Sequence, residues 1–229
     1  GMFPLFYYVT EREIGVSPSI ARLLALGAPP DLDEGALAVF LRVGYMLAED
    51  TPFRAIRTVP ARAELVWNGE LEQRAGGGWT TAPSNIGRRD AEDGLIELFR
   101  GAIARRPPPE SGFVLPLSGG RDSRHIVLEL CAQGHRPRAC VTARHFPPKV
   151  DEDEEVAAEV TSSLDIPHVV LAQPANRLDV EVRKNDRTSF CSDEHQWAMC
   201  LSEYLPAHTT CVYDGLAGDV LAAGAFQTK

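Results

Sequence analysis

Residues 115–124, with the sequence LPLSGGRDSR, are the most informative stretch of this chain. An apolar run that begins at Gly112 ends here in Ser-Gly-Gly, and apolar residues then recur at helical spacing from Ile126 onward. This pattern predicts a strand, a tight glycine turn and the beginning of a helix. The first turn of a helix presents unpaired N–H groups and the positive end of the helix dipole, which together favour an anion. We therefore interpret residues 118–123 as a phosphate-binding loop.

The residue types in this loop suit a magnesium-bound phosphate. Gly119 and Gly120 allow the backbone to approach a phosphate closely, and Ser118 and Ser123 add hydroxyl donors. Asp122 can hold a magnesium ion against the phosphates. The common signature GxxxxGK[ST] is absent, because no Lys follows the glycines. The alternative interpretation is an ordinary turn with a capped helix behind it.

The composition narrows the class of protein. The chain has 229 residues, of which 44% are hydrophobic, and its formal net charge of −9 argues against a general nucleic-acid binder. No apolar stretch is long enough to cross a bilayer, and no secretory leader is visible. The five cysteines form no CxxC pair, which is typical of reduced thiols in the cytosol. We therefore expect a cytoplasmic protein with neither a nucleic-acid nor a membrane partner.

Two regions, residues 2–85 and 86–229, differ in their patterns and predict two domains. The first region combines a β-prone run at its start with two short helices, the first with a capping Ser and an early Pro in Ser17-Pro18-Ser19 and the second capped by Asp33. Asn68-Gly69 predicts a hairpin. It is therefore expected to be a small α+β domain.

The second region alternates strands and helices. Strands separated by single helices imply right-handed crossovers and a mostly parallel sheet, whose ligands bind beyond the carboxyl ends of the strands. The turns at Ser118 and Asp214 lie at such ends. The acidic run 151–155 is interpreted as a solvated helix start, favoured by the helix dipole. The predicted strands are 113–117, 139–143, 168–171 and 211–213, and the predicted helices are 89–105, 122–133, 152–164 and 193–205.

Several segments resemble one known family. The pattern Ser-Gly-Gly-x-Asp-Ser at 118–123 is similar to the pyrophosphate loop of the N-type ATP pyrophosphatases. Residues 151–171 resemble the second α/β unit of the synthetase domain of asparagine synthetases, and residues 214–224 resemble its loop Gly-x-Gly-x-Asp-Glu-x-x-x-Gly. Residues 4–67 are similar to the closing part of the glutaminase domain of the same family. The resemblance implies an α/β fold of the adenine nucleotide α-hydrolase-like (PP-loop) type.

The resemblance also implies a reaction. In that family a substrate carboxylate attacks the α-phosphorus of ATP, pyrophosphate leaves, and an amine then displaces AMP to give an amide. The expected cofactors are ATP and Mg²⁺, and the expected partners are a small-molecule carboxylate and an amine. Asp122 and Asp219 would share the metal and act as the catalytic acids, although Asp219 can equally be a helix cap or a surface acid. The residues implied in nucleotide binding are Leu117, Ser118, Gly119, Gly120, Asp122, Ser123, Val141, Thr142, Asp214 and Gly215.

The chain also departs from the family pattern. Met2 is followed by Phe3 and no residue matches the family's Cys nucleophile, so we expect no glutaminase activity. Leu216 stands where the family has a catalytic acid, and Val220 replaces a second acid. The family's Lys-bearing helical region has no counterpart here, so the chain is a fragment, a short gene product, or one that a partner chain completes. The alternatives to a ligase are a non-catalytic ATP- or AMP-binding remnant in a larger assembly and a tRNA-modifying enzyme.

Overall fold

In a computed structural model the chain folds as two units, each with its own hydrophobic core. The structure describes residues 4–76, 85–146, 152–192 and 195–215. Unit 1 comprises Gly1–Ala82 together with Asn176–Gln196, and unit 2 comprises Pro83–Ala175 together with Trp197–Lys229. The first unit thus takes in a segment from late in the chain. The predicted mixture of α and β structure is confirmed.

Unit 1 is built on a three-stranded antiparallel sheet in the order β2-β1-β3. Its strands and those of a following hairpin are β1 (Phe6–Val9), β2 (Ile14–Ser17), β3 (Ile56–Thr58), β4 (Ala63–Trp67) and β5 (Leu71–Ala75). The predicted hairpin is confirmed, because Trp67 pairs with Leu71 across it. Gly69 lies in this turn with a φ of 105°, a value that favours glycine.

The helices begin close to the residues that the sequence predicts. Ser19 and Asp33 cap the first two helices, where their side-chain oxygens accept from the N–H groups of Arg22 and Ala36. The helices are α1 (Ile20–Ala25), α2 (Glu34–Val43), α3 (Arg88–Ala104), α4 (Arg121–Ala132), α5 (Glu152–Leu164), α6 (Arg177–Arg187) and α7 (Met199–His208).

A parallel sheet in the order β6-β7-β8 forms the centre of unit 2. Its strands are β6 (Val114–Pro116), β7 (Ala139–Ala143) and β8 (His168–Leu171). These strands are short and apolar, as expected for strands covered on both faces. The helices α3, α4 and α5 contribute Ile103, Val127, Leu130 and Ala157 to the core around the sheet. The predicted parallel sheet is therefore present over three strands.

Three elements of the later part of the chain differ from the prediction. The last strand, expected at 211–213, is reduced to a single parallel bridge between Val114 and Val212. The helix expected at 193–205 begins later, with a 3-10 turn at Gln196–Ala198 followed by α7. Helix α6 was not predicted at all. Two helices, α6 and α7, therefore lie between β8 and Val212, where one helix would suffice to connect two parallel strands.

Candidate functional site

The predicted phosphate loop connects the carboxyl end of β6 to the first turn of α4 in unit 2. The N–H of Leu117 donates to the carbonyl of Val141 at 2.9 Å, which continues the ladder of the sheet up to the loop. Gly120 is the N-cap of α4 and, having no side chain, leaves the helix start without a side-chain cap. An uncapped helix start retains its preference for an outside acceptor. The loop thus lies where the sequence predicts an anion site.

The two serines of the loop bond to each other. Their hydroxyl oxygens are 3.1 Å apart, and the N–H of Ser118 donates to Ser123 Oγ at 3.2 Å. Ser118 Oγ also accepts from the N–H of Gly120 at 3.2 Å. Ser123 is buried. Both hydroxyls therefore shape the turn, a role that the sequence analysis did not assign to them.

Gly119 holds a carboxylate. Its N–H donates to Asp153 Oδ1 at 2.7 Å, a short distance typical of a charge-assisted hydrogen bond. Asp153 lies in the first turn of α5, far from the loop in the sequence. From the sequence, the acidic run around this residue is expected to be a solvated helix start. No local signal distinguishes Asp153 from its acidic neighbours, because only the parallel sheet brings the start of α5 to the loop.

Gly215 lies against the beginning of α4. A Cβ at this position would be 2.9 Å from Asp122 Cβ and 3.0 Å from the backbone nitrogen of Ser123. Such a close approach requires glycine. The predicted site residues at 214–215 and at 118–123 are therefore neighbours in space, as expected for two turns at the carboxyl ends of parallel strands.

Thr142 connects the loop to the edge of the sheet. Its hydroxyl donates to the carbonyl of Leu117 at 2.7 Å, and the same oxygen lies 2.8 Å from His168 Nε2. A hydroxyl has one proton, so His168 Nε2 donates to Thr142 Oγ1. Burial lowers the pKa of His168, while the charge of Glu154 opposes that shift. His168 is a residue of the site that the sequence analysis did not select.

The charged residues near the loop differ in their contacts. Asp122 is half-buried in the first turn of α4, and Arg121 beside it is exposed. Arg124 Nε donates to the carbonyl of Gly120 at 3.2 Å, so this guanidinium lies on the loop. Asp219, the second predicted metal ligand, lies outside the described residues. Within the described ranges, no group of three or more His, Cys, Asp or Glu residues is arranged to hold a metal.

These observations test whether the site fits the cofactors that the resemblance implies. An N–H of the loop already binds an anionic oxygen, which suits a phosphate. Asp122 supplies one carboxylate for magnesium, and water and phosphate oxygens are its usual additional ligands.

Comparison with models of known protein families finds no match for this chain, and no curated protein sequence matches it either. In the part of the chain that the structure describes, no helix combines the length and apolar character needed to span a membrane.

Proposed function

We propose that this chain binds ATP with magnesium at residues 118–123 and activates a carboxylate by adenylation, as an asparagine-synthetase-like amide ligase with a PP-loop type sheet. One observation carries the proposal: the N–H of Gly119, at the carboxyl end of β6, holds a carboxylate oxygen at 2.7 Å. An N–H that binds one oxyanion in an exposed loop can bind a phosphate oxygen in the same way. The motif Ser-Gly-Gly-x-Asp-Ser gives that oxyanion its proposed identity.

Each residue of the loop has a role in this proposal. The N–H of Gly119 and the hydroxyls of Ser118 and Ser123 orient the phosphates and stabilise charge on the leaving pyrophosphate. Gly120, whose N–H donates to Ser118 Oγ at 3.2 Å, keeps the turn free of a side chain. Asp122 holds the magnesium ion, which, when bound, neutralises phosphate charge. Asp219 is the proposed second ligand.

The nucleoside part of ATP would lie beside the ends of β6 and β7. Leu117 and Val141 are buried there, and Thr142 is fixed by its bonds to Leu117 and His168. Asp214 and Gly215 would border the opposite side of the nucleotide, beside the first turn of α4. The co-substrates are a small-molecule carboxylate and an amine, and the reaction is proposed to take place in the cytoplasm.

The test is ATP–pyrophosphate exchange, measured with magnesium and a panel of amino acids. We expect exchange with at least one carboxylate, and a loss of about a hundredfold in Asp122→Asn. The matched control is Asp90→Asn, which removes an acid from the first turn of α3 in the same unit and should retain exchange. Absence of both exchange and ATP binding in the folded protein would refute the proposal.

A second candidate function is nucleotide binding without turnover. It is favoured by Leu216, which replaces the family's catalytic acid with a side chain that can neither bind metal nor transfer a proton. ATP binding that depends on Asp122, together with no exchange for any carboxylate or in the presence of tRNA, would support this candidate over the ligase.

A further inference from the structure

The contact between Asp153 and the loop joins two parts of unit 2 that are distant in sequence. Asp153 Oδ1 accepts from the N–H of Gly119 at 2.7 Å, and both groups lie at an exposed position. An exposed hydrogen bond can open without disturbing the core. The carboxylate therefore occupies the N–H that the proposed function assigns to a phosphate.

Contacts of the neighbouring residues keep Asp153 beside Gly119. Its neighbour Glu154 accepts two hydrogen bonds from Arg144, each 2.9 Å long. Arg144 follows β7 directly, and its N–H donates to the carbonyl of Leu171 in β8 at 2.8 Å. The start of α5 is thus fastened to the same edge of the sheet as the loop.

We propose that Asp153 is an intramolecular competitor for the phosphate loop, whose carboxylate must leave Gly119 before a phosphate can bind. This inference rests on the proposed function. The N–H of Gly119 has one proton, so it cannot form a full hydrogen bond to two oxyanions at once. A carboxylate that stayed beside the loop would also repel the incoming phosphate.

Competition from Asp153 affects which anions can bind to the loop. A weak, singly charged anion gains little by displacing Asp153, whereas a magnesium-bound di- or triphosphate makes several contacts with the loop and gains more than it loses. The contact therefore selects polyphosphates over simple anions. It also couples nucleotide binding to movement of the Asp153 side chain away from Gly119.

The test compares Asp153→Ala with Glu155→Ala. Both variants remove one exposed carboxylate from the same helix, but only Asp153 bonds to the loop. We expect Asp153→Ala to bind ATP with magnesium about three- to tenfold more tightly than the wild type, measured by calorimetry. The variant has no hydrogen bond between residue 153 and Gly119 to break before the phosphate binds, so the free-energy cost of breaking that bond is removed. Glu155→Ala should change the affinity by less than about twofold.

A second measurement needs no nucleotide. Amide hydrogen exchange, followed by NMR, should be faster at Gly119 in Asp153→Ala than in the wild type, and unchanged in Glu155→Ala. Asp153→Leu, whose side chain is close to that of Asp in size and has no oxygen to accept this hydrogen bond, serves the same purpose if the alanine variant does not fold.

The outcomes separate the inference from the proposed function. If the wild type and Asp153→Ala bind ATP equally, or if the variant binds more weakly, Asp153 is not a competitor and the inference alone is wrong. If neither the folded wild type nor the folded variants bind ATP or pyrophosphate, the proposed function fails and the inference fails with it.

Discussion

At the scale of single residues, glycine decides where two segments of unit 2 can meet. The backbone at Gly215 approaches Asp122 and Ser123 so closely that a methyl group would lie 2.9 Å from Asp122 Cβ. Gly94, in the interior of α3, has no heavy atom within 4 Å of the corresponding position apart from the neighbouring backbone of its own helix. The same substitution at these two sites should therefore have opposite effects.

We expect Gly215→Ala to lower the free energy of unfolding by about 1–3 kcal/mol, because an overpacked contact forces the backbone to move. ATP affinity should fall by about tenfold, since the shift displaces the first turn of α4. Gly94→Ala should instead raise the free energy of unfolding by about 0.5–1 kcal/mol, because alanine reduces the entropy cost of the helix. Chemical denaturation and calorimetry measure both effects, and a Gly215→Ala protein as stable as the wild type would contradict the close contact.

At the scale of secondary-structure elements, the partial burial of His168 on β8 makes the parallel sheet sensitive to pH. Burial lowers the pKa of His168 below its ordinary value of 6.5. The unfolded chain therefore takes up a proton at a higher pH than the folded protein does. The stability that neutral His168 provides is present above pH 6.5 and is lost as the pH falls toward the lowered pKa.

His168→Gln tests this expectation, since glutamine donates a hydrogen bond but does not titrate in this range. The free energy of unfolding of the wild type should fall more steeply than that of the variant as the pH decreases below 6.5. Urea denaturation at a series of pH values measures the difference. Parallel pH profiles for the two proteins would show that His168 does not contribute.

The elements also show how far the sequence predicts the structure. The strands at 139–143 and 168–171 and the helix at 152–164 were predicted with their observed bounds, because each has an uninterrupted pattern between clear turn signals. Helix α6 was missed, because a charged residue, Lys184, lies on its buried face. Its ammonium group is 2.8 Å from Glu181 Oε1 and also donates to the carbonyl of Ser192. From the sequence alone, a buried lysine whose ammonium group is hydrogen-bonded within the fold cannot be distinguished from an exposed lysine.

The residues of the candidate site also fall into two groups, those that the sequence identifies and those that only the folded structure identifies. Ser118, Gly119, Gly120, Asp122 and Ser123 are predicted from a local motif, whereas Leu117, Val141, Thr142, Asp214 and Gly215 come from the resemblance to asparagine synthetases. Asp153 and His168 were not selected, because their roles depend on contacts to residues 34 and 26 positions away in the chain. Local patterns identify a loop, whereas the partners of that loop depend on the packing of the sheet.

At the scale of the whole molecule, the two units have separate cores. Ile20, Leu23 and Ile56 belong to the core of unit 1, and Leu115 and Val127 belong to that of unit 2. Leu23 is fully buried, so Leu23→Ala should cost about 2–5 kcal/mol through lost contacts and a cavity. Because each unit buries its own apolar side chains, we expect each to unfold as its own cooperative unit.

Amide hydrogen exchange measures this expectation residue by residue. Leu23→Ala should reduce protection in β1 and β3 while leaving β6 and β7 unchanged, and ATP with magnesium should raise protection in β6 and β7 only. The control is Leu41→Ala on α2, where the side chain is 84% exposed and its loss should change protection little in either unit. If Leu23→Ala lowered protection equally in all four strands, the two cores would form a single cooperative unit. ATP would then stabilise both units, because any ligand that binds only the folded form stabilises everything that unfolds with its site.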